Sequence, residues 1–191
     1  MILSNVEILR CIEKGSISIE PLNGKDPSKP PFNTSSVDLH LGDIIRVPNP
    51  TPSVVADFMN SSAPITDYLT NNSSKIQITN DQPYRLKPLK LVLGQTFERV
   101  KFPKNDDVCY AARIEGRSSR ARWGLIVHCT APTVHAYFEG PLTLEIVNFG
   151  SHDILLSPKM SICQLIIEEI KGLPIETTNQ YSGQVDPTGA K

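Results

Sequence analysis

The chain has 191 residues, of which 19 are Lys or Arg and 20 are Asp or Glu, for a formal net charge of −1. That length suits one domain, 1–191, with a proper core, and the balanced charge offers no basic field for nucleic acid or an anionic membrane. No apolar run reaches spanning length, and Glu7 and Glu13 interrupt the N-terminal apolar pattern, so neither a membrane span nor a leader is expected and a cytoplasmic setting is.

Ser4-Asn5-Val6-Glu7 has the form of a capping box, with Leu3 and Ile8 placed for a hydrophobic staple. Ile8, Leu9 and Ile12 continue a helical stripe that Gly15 ends, predicting one short N-terminal helix. Ile17 and Ile19 alternate with Ser in a brief strand before a Pro-rich loop, Pro21–Pro31. Val37, Leu39 and Leu41 alternate with Asp38 and His40, which predicts a strand with Asp38 facing solvent. Residues 48–83 are rich in Pro, Ser, Asn and Thr and read as an irregular surface excursion. Within it, Val54, Val55, Phe58 and Met59 suit a short amphipathic turn.

From Tyr84 the strands come densely: Leu89–Phe97, Val108–Ile114, Gly124–Cys129, Leu142–Asn148, Ile154–Leu156 and Ser161–Glu168. Turns fall among others at Pro103–Asp106 and Glu139-Gly140, so the pattern predicts a mainly β sandwich or jelly-roll. The polar tail, about 177–191, should be mobile when nothing is bound. Cys11, Cys109, Cys129 and Cys163 are widely spaced and mostly inside apolar runs, as expected of reduced, buried thiols.

The stretch Arg113–Gly150 is the most informative. Gly116-Arg117-Ser118-Ser119 combines close backbone approach, a planar cation, hydroxyls and N–H donors, which is what a phosphate needs; an ordinary surface turn has the same composition. In Leu142-Thr143-Leu144-Glu145-Ile146-Val147 strand alternation puts Leu142, Leu144 and Ile146 on one face and Glu145 on the other. A carboxylate there is either a solvated outer residue or a base in a pocket. Its apolar neighbours would raise its proton affinity toward the range a proton shuttle needs. Arg122 reads as a strand-end surface Arg or a site residue, His128 as a core histidine or a site residue, and Trp123 as core or subunit interface.

The segment EGRSSRARWGLIVHCTAPTVHAYFEGPLTLEIVNFG resembles the core signature of dCTP deaminases, members of the trimeric dUTPase-like superfamily. ILSNVEILRCIEKGSISIEPL, SSVDLHLGD, LKPLKLVLGQTFERVKFP, PKMSICQLIIEE and QYSGQ follow the family's order, leaving only about 48–83 outside the likeness. The resemblance implies a dUTPase-like distorted β-barrel or jelly-roll with one N-terminal helix, assembled as a homotrimer. It implies deamination of dCTP to dUTP and ammonia, with magnesium bound through the triphosphate and dTTP as a candidate inhibitor. Glu145 would shuttle the proton, while Ser118, Arg122 and the Ala131 carbonyl would position the water. Arg117 and Ser119 would hold phosphates, Thr133, Val134 and His135 would read the cytosine edge, and Phe138 would lie against the sugar. His128 would stand beside the reacting centre, and the tail, with Tyr181 and Gln184, would close over the nucleotide.

No zinc is expected: the chain has no C-x-x-C, and none of its four histidines begins an H-x-E. Two positions depart from the family pattern. Gln180 replaces a Lys before Tyr181, and His135 replaces an Asp that helps activate the phosphate-attacking water in dUTPases and bifunctional deaminase-diphosphatases. Three functions therefore compete: a deaminase that stops at dUTP, a dUTP-cleaving or bifunctional relative, and a catalytically silent nucleotide-binding trimer.

Overall fold

The computed structural model describes residues 1–50, 65–105, 107–177 and 181–191. Ser4 caps helix α1 (Asn5–Glu13) as the sequence predicts, its Oγ accepting from the Glu7 N–H at 3.3 Å. The Glu7 carboxylate pairs with Arg10 at 3.4 Å rather than reaching back to the cap. The helix buries Ile8 and Cys11.

Strands follow: β1 (Ser18–Glu20), β2 (Phe32–Asn33), β3 (Ser36–His40) and β4 (Ile44–Pro48). After helix α2 (Ile65–Asn71) come β5 (Ser73–Gln77), β6 (Tyr84–Leu86), β7 (Leu91–Lys101) and β8 (Cys109–Gly116). The short helix α3 (Ser118–Ala121) precedes β9 (Leu125–Ile126), β10 (Thr133–Val134), β11 (Glu139–Asn148), β12 (Ile154–Leu156) and β13 (Ser161–Ile170). One sheet runs β5–β4–β7–β11–β9, with β1 also against β7; a second runs β10–β8–β13–β3–β2. A single buried cluster draws Val92, Val100, Leu144 and Ile146 from the first sheet and Val37, Leu39, Ile114 and Leu165 from the second.

The β7–β11 pairing fixes the register that matters here. Glu145 stands opposite Leu93 and Leu144 opposite Gly94. Leu144 and Ile146 are fully buried, each contributing about 1.5–3 kcal/mol, so a one-residue slip that exposed both and buried Glu145 is strongly disfavoured. A bulge between Pro141 and Thr143 interrupts the ladder, and the Leu142 N–H it frees donates to buried Thr96 Oγ at 2.9 Å. At the other edge, buried Glu98 accepts from the His40 backbone N–H at 2.8 Å and lies 2.6 Å from His40 Nδ1, tying β3 to β7.

The mainly β expectation holds, and the differences are local. The run expected at Gly124–Cys129 pairs only over Leu125–Ile126, and the turn expected at Glu139-Gly140 lies inside β11. The excursion is not wholly irregular: it contains α2, and β5 pairs along the length of β4. The amphipathic turn read at residues 54–59 lies outside the described residues. Trp123 is no core residue; it is 64% exposed and meets His152 edge-on at 6.0 Å between ring centroids. Cys11, Cys109 and Cys163 are buried free thiols as expected, but Cys129 is exposed. The tail 181–191 is docked rather than loose, with Gln184, Asp186 and Thr188 buried, because its polar groups find partners on the sheet.

Gly124 joins α3 to β9 at φ +87°, and a Cβ there would come within 2.1 Å of the Gly150 backbone nitrogen. Neither left-handed backbone nor main-chain collision can be relieved by a rotamer change. Gly124→Ala is expected to lower stability by about 2–4 kcal/mol, read as a lower urea midpoint at unchanged slope.

Candidate active site

Antiparallel neighbours in register share a face, so Lys75 (β5), Arg46 (β4), Leu93 (β7) and Glu145 (β11) form one transverse row across the first sheet. Above the Leu93–Glu145 end lies a cavity of about 460 Å³. Thr143 and Glu145 of β11 and Leu93 of β7 form its floor. Ala131, Thr133, Val134, His135 and Phe138 supply one wall, and Tyr181, Gln184 and residues 187–189 of the tail supply the other. Val134 and Phe138 are 5% and 6% exposed and make that wall apolar, whereas His135 and Ala131 stand exposed at its rim.

Glu145 is half-buried, and its Oε2 accepts from the Cys129 backbone N–H at 3.1 Å. It is the only acidic side chain among the described residues lining the cavity. Burial, and then the neighbouring Glu145 charge, push the Cys129 thiol above its ordinary value.

The turn residues go elsewhere. Ser118 and Ser119 begin α3, fully at the surface, and Arg122 ends it, also exposed. Neither these nor Arg117 and His128 line the cavity of the described chain. Arg117 reaches back to the second sheet, where Nη1 donates to the Asp38 carboxylate and to Ser161 Oγ at 2.6 Å. Asp38, expected to face solvent, is held instead by Arg117 and by Asn33 Nδ2 at 2.8 Å, because β2 and β13 flank its strand. His128 is half-buried with Nε2 3.9 Å from Glu115, and its buried Nδ1 has no hydrogen-bond partner among the described residues. Among the described residues no three His, Cys, Asp or Glu side chains gather as a metal cage, and no helix is long and apolar enough to cross a membrane.

A family model described as dCTP deaminase-like matches residues 2–170. The chain belongs to the dCTP deaminase-like family. A dCTP deaminase, dUMP-forming, of Methanosphaera stadtmanae is 34% identical over all of this chain and 93% of its own length. A dCTP deaminase of Haloarcula marismortui is 35% identical over all of this chain and 94% of its own. A dUMP-forming dCTP deaminase of Dictyoglomus thermophilum is 36% identical with the same coverage, 100% and 94%. The crystal structure of 2′-deoxycytidine 5′-triphosphate deaminase from Agrobacterium tumefaciens matches at TM-score 0.63 and 19% identity, over 89% of this chain and 48% of that one. That likeness establishes the fold.

The dCTP deaminase-like fold thus brings Glu145, Ala131, Thr133, Val134, His135, Phe138, Tyr181 and Gln184 to one cavity and leaves the Arg117–Arg122 group apart within a single chain. Gln180 lies outside the described residues. Sequence reading missed Leu93, Thr143 and Thr188 as cavity residues and missed the pairing of Arg46 with Asp186. Only the odd arginine in the apolar run Ile44–Val47 hinted at the last.

Because Cys129 is the exposed cysteine among four, an alkylating reagent should label one thiol in the native protein. With its proton held more tightly than usual, labelling at pH 7 should be slow and should quicken as pH rises. Glu145→Gln removes the secondary electrostatic cause while leaving burial, so the rate at fixed pH should increase about two- to fivefold, measured by intact mass.

Proposed function

We propose that this chain is a hydrolytic dCTP deaminase that takes dCTP and water to dUTP and ammonia. The observation carrying this reading is Glu145, the lone carboxylate of an otherwise largely apolar cavity, in a chain that aligns end to end with relatives bearing that name. Water adds at C4 of cytosine. Glu145 takes its proton and delivers it to the ring nitrogen; the second proton goes to the amine as the tetrahedral centre collapses and ammonia leaves. The Cys129 N–H, 3.1 Å from Oε2, fixes the rotamer of the shuttle. Backbone groups of Thr133–His135 meet the base edge, and Phe138 packs against the sugar.

The water needs partners on its far side. Ser118, Arg122 and the Ala131 carbonyl fill that role in a homotrimer whose cavities are completed by α3 of the neighbouring subunit, with Arg117 and Ser119 on the triphosphate. The separation of α3 from the cavity within one chain supports this sharing, and so do the exposed apolar side chains of Leu89, Leu91, Trp123, Ile126 and Phe149. Magnesium would arrive on the triphosphate, its charge neutralising the phosphates, since it keeps phosphate and water oxygens in preference to a full protein cage.

The reading extends to the product: this chain stops at dUTP. His135 stands where dUMP formation would call for a carboxylate, and the two other carboxylates that could stand in, Asp38 and Glu139, are engaged elsewhere. Asp38 is paired with Arg117, and Glu139 with Lys101 at 2.9 Å. Dictyoglomus and Methanosphaera relatives that form dUMP make the opposite outcome a fair test.

Incubation with dCTP, followed by nucleotide chromatography with ammonia and pyrophosphate assays, is expected to give ammonia and dUTP in equal amounts. Pyrophosphate in step with ammonia would overturn the product assignment, and no ammonia would overturn deamination itself. Glu145→Gln should lower turnover by about 10²–10⁴ while nucleotide binding survives; near-normal turnover would remove Glu145 from the mechanism.

Shared sites make a further demand. Mixed, reassembled trimers of inactive Ser118→Ala and inactive Glu145→Gln chains should recover part of the wild-type rate, because some cavities then combine two intact halves. No recovery would mean that each site lies within one chain.

A further inference from the structure

The C-terminal strap is seated by charge. Asp186 is 7% exposed and takes a fork from Arg46: Nε lies 3.0 and 3.2 Å from its two oxygens and Nη2 2.8 Å from Oδ2. Lys75 Nζ adds a second cation at 3.5 Å. The Thr188 N–H and hydroxyl close back on Oδ1 at 3.1 and 2.9 Å, and that hydroxyl also meets Thr70 Oγ of α2 at 2.9 Å. Burial alone would favour the neutral acid, but these hydrogen bonds and the Arg46 charge outweigh it and hold the carboxyl below its usual value.

The placement is what gives this cluster a purpose. Arg46 and Lys75 are register partners, and both lie in the transverse row that ends at Glu145, two strands from Arg46 or about 10 Å. From its anchor on that row the strap runs over the cavity. Thr143 Oγ donates to the Pro187 carbonyl at 3.3 Å, and Gln184 Nε2 donates to the Pro141 carbonyl at 2.7 Å. Gly189, at φ +88°, lies so close to the Tyr181 ring that a Cβ would come within 2.7 Å of it. Thr70 and Lys75 belong to the segment 48–83, to which the sequence alone assigned no chemistry.

We propose that Arg46 and Asp186, braced by Lys75 and Thr70, form a latch that holds the strap closed over the cavity of its own chain before any nucleotide arrives. They act as positioning residues for Tyr181, Gln184 and Thr188, and the segment 65–77 serves as the dock. The kinetic half of this inference rests on the dCTP reading; the structural half does not.

The test uses the full-length, nucleotide-free protein and amide hydrogen exchange. The Val185 and Gly189 N–H groups donate within the closed strap and that of Gly183 donates to the Glu139 carbonyl of β11, so all three report its opening. Asp186→Asn and Arg46→Gln are each expected to speed exchange there by about 10- to 100-fold while β7 and β11 amides keep their protection. Arg46→Lys, which keeps the charge and loses the fork, should give an intermediate value. If Arg46→Gln fails to fold, Asp186→Asn, near the chain's end, carries the measurement. With dCTP, the same variants should raise KM by about tenfold or more with kcat changed less than about threefold. Unchanged strap exchange would overturn the latch, and faster exchange with unchanged KM would overturn the positioning role. A wild-type protein that exchanges as expected but does not turn over dCTP would defeat the functional reading and leave the latch standing.

Discussion

The antiparallel pairing of β7 with β11 is the constraint on which the candidate site depends. It sets Leu144 and Ile146 into the core and, by strand alternation alone, turns Thr143 and Glu145 outward to the cavity floor. Burial of the two apolar residues makes the register costly to lose, so a carboxylate that contributes little to stability is held in place by its neighbours. The bulge at Pro141–Thr143 survives because Thr96 satisfies the amide it frees. Without that bond a buried N–H would cost about 1–3 kcal/mol.

Charge is distributed unevenly around this floor. Asp186 is neutralised by Arg46 and Lys75, Asp38 by Arg117, and Glu98 meets the His40 ring. Buried pairs of this kind add little net stability, since desolvation offsets most of their attraction, but each is costly to break from one side. Their effect is to fix geometry. Among the described residues Glu145 alone of these carboxylates has no cationic partner, only the Cys129 N–H.

The chain leaves its phosphate-type turn and its carboxylate on different parts of one protomer. Arg117 is anchored by the second sheet through Asp38 and Ser161, whereas Glu145 faces the opening of the first. The site shared between subunits proposed above would reconcile this arrangement, and Trp123 and Phe149, exposed near the ends of α3 and β11, are available to such a contact.

Alternation of Leu142, Leu144 and Ile146 with Glu145, the Ser4 cap, and the run of strands from Tyr84 onward were legible in the sequence, because each rests on a period of two residues or a contact within one turn. Collinear motifs carried the family in the same way. Where pairing is non-local, the sequence was silent or misleading. Nothing near Asp38 announces Arg117, 79 residues away, and nothing near Arg46 announces Asp186, 140 residues away. The tail looked mobile because the partners that seat it, Arg46 for Asp186 and the Pro141 carbonyl for Gln184, lie far away along the chain. The Gly116–Ser119 turn became the start of a short helix against β9, and part of the irregular excursion became β5, because pairing with β4 overrode weak local preferences. The sequence by itself determined which face Glu145 occupies, since alternation is a property of one strand. Only the tertiary structure decided what lies over that face, since the strap, its cations and the cavity walls come from segments far apart along the chain.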